Sequence, residues 1–287
     1  MKNIVWLASY PKSGNTWLRV FLANLMTGES KPFQINHLSR IIPGSASRAA
    51  FDGELGIDSA DLDYDECDRL REGYHRFVAG RTSATLFYKI HDAFSFLPDG
   101  TCIVPRDVTK GAVYLVRNPL DVAVSYANHA AIGLDQAIDW INREDACLFG
   151  DRRRPHTQLR QRLLSWSGHV RSWTERDWGF EVHVMRYEDM KQEPETVFTR
   201  TARFIGMDAP TGRIRKALEF SDFKELKSQE ERKGFAEKPM HCRSFFNQGK
   251  TGTWRTVLSA VQVRRIVERH GEMMDRFGYL EDGEPVY

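Results

Sequence analysis

Ile4-Val5-Trp6-Leu7-Ala8-Ser9-Tyr10-Pro11-Lys12-Ser13-Gly14-Asn15-Thr16-Trp17-Leu18-Arg19 is the stretch from which the rest of the chain is read. Its β-branched and aromatic beginning stops at Tyr10-Pro11. Turn-forming residues then lead into an apolar pattern at helical spacing, Trp17, Leu18, Phe21, Leu22 and Leu25. The reading is strand, loop, helix. The loop holds Lys12, Ser13, Gly14, Asn15 and Thr16 where the free N–H groups and the positive dipole end of the helix point, a place that binds an anion and most often a phosphate. Gly14 lets the backbone come close, Lys12 brings a full charge, and Ser13 and Thr16 add hydroxyl donors. The plainer alternative is a turn with a Ser or Asn cap ahead of an ordinary helix. A nucleoside-triphosphate cradle needs its lysine directly after the second glycine, whereas Lys12 precedes Gly14. The loop is shaped for a different anion, and a kinase or ATPase is disfavoured.

The 287 residues suffice for a sizeable core and suit one α/β domain over 1–287 better than two. With 41% hydrophobic and 28% charged residues the chain is an ordinary globular protein, and a net charge of +2 argues against a protein that coats nucleic acid. Cys67, Cys102, Cys147 and Cys242 show no C-x-x-C spacing, so neither a zinc site nor a disulfide framework is expected, and free thiols in the cytoplasm are the simplest account. No apolar run approaches the roughly 18 residues of a membrane span.

Two further strand ends carry chemistry. Thr85-Leu86-Phe87-Tyr88-Lys89-Ile90 reads as a strand and ends on His91-Asp92. In open α/β sheets ligands gather beyond the carboxyl ends of strands, which is where His91 falls if this strand runs parallel to the first. Ala112 to Val116 reads as a buried parallel strand, followed by Asn118 as a cap, Pro119 at the first helical position, and Leu120, Val124 and Ala127 at helical spacing. Arg117 then stands at a strand end and Ser125 two turns along the helix, a guanidinium and a hydroxyl suited to one phosphate. Each has a plainer reading, as a structural histidine or an ion-pair partner.

Between these landmarks, residues 28 to 82 lack clear periodicity, and the acidic stretch 58–66 reads as a solvated helix start or loop. Residues 135 to 178 look mainly helical, with Trp140, Trp166 and Trp173 as packing residues. The run Asp151-Arg152-Arg153-Arg154-Pro155 reads as an exposed loop, with steering of an anionic substrate as the alternative. Phe180 to Tyr187 is a further strand candidate, and Ala260 to Phe277 a closing helix with Val261, Val263, Ile266, Val267, Met274 and Phe277 on its apolar side.

Tyr10 to Trp17 is similar to the 5′-phosphosulfate loop of sulfotransferases that use 3′-phosphoadenosine 5′-phosphosulfate (PAPS), with Asn15 where that family usually has Thr. Lys89-x-His91 resembles the element that supplies the family's catalytic base. The segment 111–129 resembles its 3′-phosphate element, and Tyr187, Ser221 and Phe223 fall in segments similar to its adenine side, where Trp17 is a second stacking candidate. Phe246 to Arg255 resembles the Arg-Lys-Gly-x-x-Gly-x-Trp loop: Gly249, Gly252 and Trp254 match, while Asn247 and Gln248 replace two cations, for which Arg243 or Lys250 are candidate substitutes.

The resemblance implies a P-loop-NTPase-like sulfotransferase fold, a central, mostly parallel sheet flanked by helices. It also implies an enzyme that moves a sulfuryl group from PAPS to a hydroxyl or amine, leaving 3′,5′-adenosine bisphosphate (PAP), with no metal. His91 would be the base, Lys12 would stabilise the leaving phosphate oxygen, and Lys89 would support the sulfuryl group. Ser13, Gly14, Asn15, Thr16 and Trp17 would line the 5′ side and base. Arg117, Ser125, Asn247, Gln248 and Gly249 would hold the 3′-phosphate. A nucleotide kinase and a catalytically weak nucleotide-binding homologue remain alternatives. The acceptor is expected to be a small molecule or soluble glycan or natural product, with no nucleic acid and no membrane insertion. The oligomeric state is open between monomer and homodimer.

Overall fold

The chain begins with a strand because Ile4–Ser9 (β1) can bury both of its faces. In the computed structural model, which describes residues 1–151 and 156–286, all six of its residues are buried. Arg152-Arg153-Arg154-Pro155, the core of the expected steering loop, lies outside the described residues. Alternate side chains of β1 enter two different cores: Ile4, Trp6 and Ala8 one, Val5 and Leu7 the other. That division makes three layers, helices on either side of a sheet.

Helix α1 (Asn15–Thr27) follows the loop and lays Leu18, Phe21, Leu22 and Leu25 on the second core. The expected irregularity of residues 28 to 82 is corrected by three helices, α2 (Leu38–Ile41), α3 (Arg48–Leu55) and α4 (Tyr64–Gly80). The acidic stretch is the start of α4: Asp63 caps it by accepting from Glu66 N, and Glu66 accepts from Asp63 N in return. The helix lacks apolar periodicity because its buried face includes Asp68, Arg71 and His75.

Strands β2 (Leu86–Ile90) and β3 (Thr109–Val116) pair in parallel on either side of β1, with Ala8 opposite Ile90 and Ser9 opposite Leu115. Helix α5 (Pro119–Ala130) starts as expected, Asn118 Oδ1 accepting from Leu120 N at 3.0 Å. It packs on α6 (Leu134–Asn142). The expectation of mainly helical structure over 135 to 178 holds only in part. A small hairpin, β4 (Cys147–Leu148) with β5 (Gln161–Arg162), intervenes before α7 (Trp166–Thr174). Trp166 and Trp173 are fully buried, while Trp140 stacks on Tyr126 at 4.0 Å.

Strand β6 (Val182–Arg186) completes the sheet β2-β1-β3-β6, parallel throughout, with Val116 opposite Arg186. Helices α8 (Tyr187–Gln192), α9 (Pro194–Phe204), α10 (Thr211–Glu219) and α11 (Phe223–Lys233) follow. After a long irregular stretch come α12 (Trp254–Val257), α13 (Ala260–Arg276) and the hairpin β7 (Leu280–Glu281) with β8 (Glu284–Pro285). In α13 Ile266, Met273 and Met274 are buried and Val263, Val267 and, just after the helix, Phe277 pack against the core, but Val261, expected on the apolar side, is 65% exposed.

One buried ion cluster holds the end of β2. Arg71, fully buried, donates to both carboxylate oxygens of Asp92 at 3.1 and 2.7 Å and to the carbonyl of Arg160 at 3.0 Å, and Asp92 also accepts from Arg162 N. The β4–β5 hairpin is thereby fastened beside His91. Removing one partner leaves a buried guanidinium short of its countercharge. Asp92→Ala is expected to lower unfolding stability by about 3 kcal/mol or more in a denaturant titration; a loss below about 1 kcal/mol would show that the cluster does not hold this corner.

Candidate functional site

The register of the sheet sets the order of the chemistry. Because β2, β1, β3 and β6 are parallel and end level, their carboxyl ends deliver His91, the loop 10–14, Arg117 and Tyr187 side by side along one edge. Above this edge lies a cavity of about 440 Å³, a size usual for ligand sites. Its wall includes Lys12, Gly14, Asn15, Thr16, Trp17, Lys89, His91, Arg117, Ser125, Tyr187, Ser221, Phe223, Asn247, Gln248 and Gly249. Of the expected site residues, Ser13 alone is not on this wall; it is fully buried, and its hydroxyl has no hydrogen-bond partner among the described residues.

At the start of α1, Gly14 adopts φ +100° and no side chain caps the helix, so the first-turn N–H groups have no side-chain acceptor. A Cβ on Gly14 would lie 2.8 Å from the ring of Tyr187, which is why the loop can pass beneath that ring only as glycine. Lys12 is also left-handed, at φ +71°. The Asn15 amide points the other way from the expected ligand: its Nδ2 donates to Leu7 O at 2.8 Å and to Ser9 Oγ at 3.2 Å, tying the helix to β1.

Arg117 joins the loop after β1 to the 246–254 loop. Its guanidinium donates to Lys12 O at 3.1 Å and to Lys250 O at 3.0 Å, and lies 4.3 Å above the Tyr187 ring. Asp121, one turn further along α5, accepts from Gly252 N at 2.8 Å and Trp254 N at 3.1 Å, which docks the 246–254 loop against the same helix. Within that loop Gly249 has φ +61°, and a Cβ there would meet Phe223 at 2.3 Å. Of the two candidate substitute cations Lys250 lies on the cavity wall, while Arg243 does not.

At the other end, His91 Nδ1 stands 2.8 Å from the carbonyl of Ser9. A carbonyl only accepts, so Nδ1 carries the proton and Nε2 presents a lone pair. Burial, with Lys89 nearby, pushes the His91 pKa well below the ordinary imidazole value, so the ring is neutral. Burial likewise lowers Lys12 to about 8. Lys89 donates to Glu237 at 3.2 Å, and Arg19 pairs with the same carboxylate at 2.8 Å. Burial alone would raise Glu237, but Lys89 and Arg19 outweigh it and hold it at about 2.

Sequence reasoning missed Asp121, His129, Glu237 and Phe245, all on the cavity wall. His129 follows Ser125 by four positions on α5, a spacing that places both on one helix face and was available in the sequence, whereas Asp121 lies in the first turn of α5, four residues after Arg117 at the strand end. Glu237 and Phe245 sit in the aperiodic stretch after α11, where no local pattern points to them. Among the described residues no cluster of side chains suits a metal ion, and no helix is long and apolar enough to cross a membrane.

The chain is similar to known proteins. A family model described as the sulfotransferase domain matches residues 2–278. The flavonol 3-sulfotransferase of Flaveria bidentis is 24% identical over 97% of this chain and 84% of its own length. Cytosolic sulfotransferase 1 of Arabidopsis thaliana is 25% identical over 91% of this chain and 75% of its own length. Retinol dehydratase, solved in complex with androsterone and inactive cofactor PAP, superposes with a TM-score of 0.63 at 19% identity, covering 99% of this chain and 82% of its own, and so shares the fold.

The contact of Gly249 with Phe223 generates a direct test. Gly249→Ala must push the Phe223 ring away and strain the backbone, so PAP affinity measured by calorimetry is expected to fall about tenfold or more with little change in melting temperature. Unchanged affinity would mean that the Gly249–Phe223 wall takes no part in binding.

Proposed function

Because the chain belongs to the sulfotransferase domain family, a family of PAPS-dependent transferases, we propose that it moves the sulfuryl group of PAPS to a hydroxyl or amine of a small, soluble acceptor in the cytoplasm. The observation that carries the reading is the convergence of Lys12, Arg117 and His91 on one cavity, with Arg117 bonded to the backbone of Lys12.

The cavity suits such a nucleotide on its own terms. It offers the cations Lys12, Arg117 and Lys250 and uncapped N–H groups for the phosphates, and Trp17, Tyr187 and Phe223 for the base. PAPS supplies an activated sulfuryl group on a phosphate leaving group, so the protein's contribution is positioning, proton transfer and charge stabilisation. In this reading His91 Nε2 takes the proton from the acceptor, since Nδ1 is committed to Ser9 and the neutral ring is ready to accept. Lys12 stabilises the charge that develops on the leaving oxygen. Lys89, on the same strand as His91, faces the transferring group, with Glu237 and Arg19 fixing its position. Thr16 and the first-turn N–H groups of α1, with the backbone rather than the buried hydroxyl of Ser13, hold the 5′-phosphate. Arg117, Ser125, Lys250 and the neutral donors of Asn247, Gln248 and Gly249 hold the 3′-phosphate. The relatives' names include a flavonol acceptor, which supports a small hydroxylated one here.

The test uses purified protein, PAPS and a panel of phenols, alcohols and amines. His91→Ala is expected to lower turnover about 10²- to 10⁴-fold at saturating acceptor; a loss below about tenfold would overturn the base assignment. PAP is expected to raise the melting temperature where ATP with Mg²⁺ does not, and the reverse would favour a kinase. Lys12 carries its charge below its pKa and loses it above, so kcat/KM for PAPS is expected to fall as pH rises through about 8. A profile flat from pH 7 to about 9.5 would contradict that role for Lys12.

A further inference from the structure

His129 lies on the cavity wall at the last turn of α5, one helical turn beyond Ser125, and no role in the reaction has yet been given to it. Its Nδ1 is 3.2 Å from Lys12 Nζ. The same ammonium lies 4.4 Å from the centre of the Phe245 ring, and the His129 ring meets Phe245 edge-on at 5.7 Å. An ammonium has protons to give and no lone pair, so in this contact Nδ1 must be the acceptor. Neutral imidazole has one proton, which then sits on Nε2.

We propose that His129 is a positioning residue for Lys12: it receives the ammonium on Nδ1, holds it against the face of Phe245, and leaves an Nε2–H donor on the cavity wall. His91 and His129 are thus held in opposite tautomers. His91 donates a hydrogen bond from Nδ1–H to the Ser9 carbonyl and offers a lone pair at Nε2; His129 accepts a hydrogen bond at Nδ1 and offers an N–H at Nε2. One ring is a base and the other a donor, although the side chains are chemically identical. A histidine that gained its own proton could not accept from Lys12, and burial beside Lys12 and Lys89 keeps it neutral by lowering its pKa to about 3. The groups facing Lys12 itself are Arg117 and Lys89, which oppose its charge, and Cys242 and Glu230, which favour it. His129 adds an acceptor to which the charged form donates more strongly than the neutral amine, so it also favours the ammonium.

The inference rests on the reading of Lys12 as the residue that meets the leaving oxygen, and its test is made first without any ligand. In ¹⁵N NMR spectra of the free protein labelled at histidine, His129 is expected as the Nε2–H tautomer and His91 as the Nδ1–H tautomer at pH 7. His129→Phe keeps an aromatic ring but removes the acceptor, so the Lys12 pKa, followed by NMR of its side-chain resonances, is expected to fall by about one pH unit or more. His129→Asn returns an amide oxygen near the position of Nδ1 and is expected to recover most of that difference. In turnover, His129→Phe is expected to lose about ten- to a hundredfold in kcat/KM, with its alkaline limb moved to lower pH, and His129→Asn to lose less. An Nδ1–H tautomer at His129, or an unchanged Lys12 pKa in His129→Phe, overturns the proposal. A Lys12→Met variant with full transfer activity would overturn the underlying reading of Lys12 instead, whatever the tautomer of His129.

Discussion

The pair Arg117 and Asp121, one turn apart on the strand end and first turn of α5, holds the site together. Arg117 binds the carbonyls of Lys12 and Lys250, and Asp121 binds the N–H groups of Gly252 and Trp254. Three segments far apart in sequence, the loop after β1, the β3–α5 junction and the 246–254 loop, meet through these two side chains. A guanidinium serves here because its planar fork can take two carbonyls at once and still lie flat on Tyr187, at 4.3 Å. The loop N-terminal to α1 and the loop N-terminal to α12 are therefore fixed relative to each other before any nucleotide arrives.

Around that brace the protein keeps charge in closed sets, one fully buried around Asp92 and one partly buried around Glu237. Glu237 is surrounded by Lys89 and Arg19, and Asp92 by Arg71 and the N–H of Arg162. Each set costs desolvation and fixes a neighbour on the cavity wall: Glu237 holds Lys89, and Asp92 adjoins His91. Lys12 differs, since its described partners are a neutral imidazole and an aromatic face rather than a carboxylate. An ammonium held in that way remains available to an anion, which suits the role proposed for it.

Local signals made the frame legible. The break at Tyr10-Pro11, the cap-and-proline pair Asn118-Pro119 and the apolar run Ala112 to Val116 each point to their element within a few residues, because they depend on backbone geometry alone. The parallel sheet follows from them. Helix α4 was hidden because Asp68, Arg71 and His75 occupy its buried face, where an apolar stripe would otherwise announce it. The inward turn of the Asn15 amide and the burial of Ser13 were hidden for another reason: residue type names a donor but not the direction in which the loop sends it. Glu237, 148 positions from the lysine it meets, belongs to contacts that only the folded chain creates. For the site, then, the sequence carried the identity of the groups along the sheet edge, and the fold supplied their company.

The central claim is that one nucleotide spans this edge from Lys12 to Arg117, with its transferable group toward His91. A crystal structure of the protein with PAP tests it most directly. The account predicts the 5′-phosphate bonded to Lys12 and the N–H groups at the start of α1, the 3′-phosphate bonded to Arg117 and Ser125, and the adenine against Phe223. PAP bound outside this cavity, or bound with its two phosphates exchanged between Lys12 and Arg117, would contradict it.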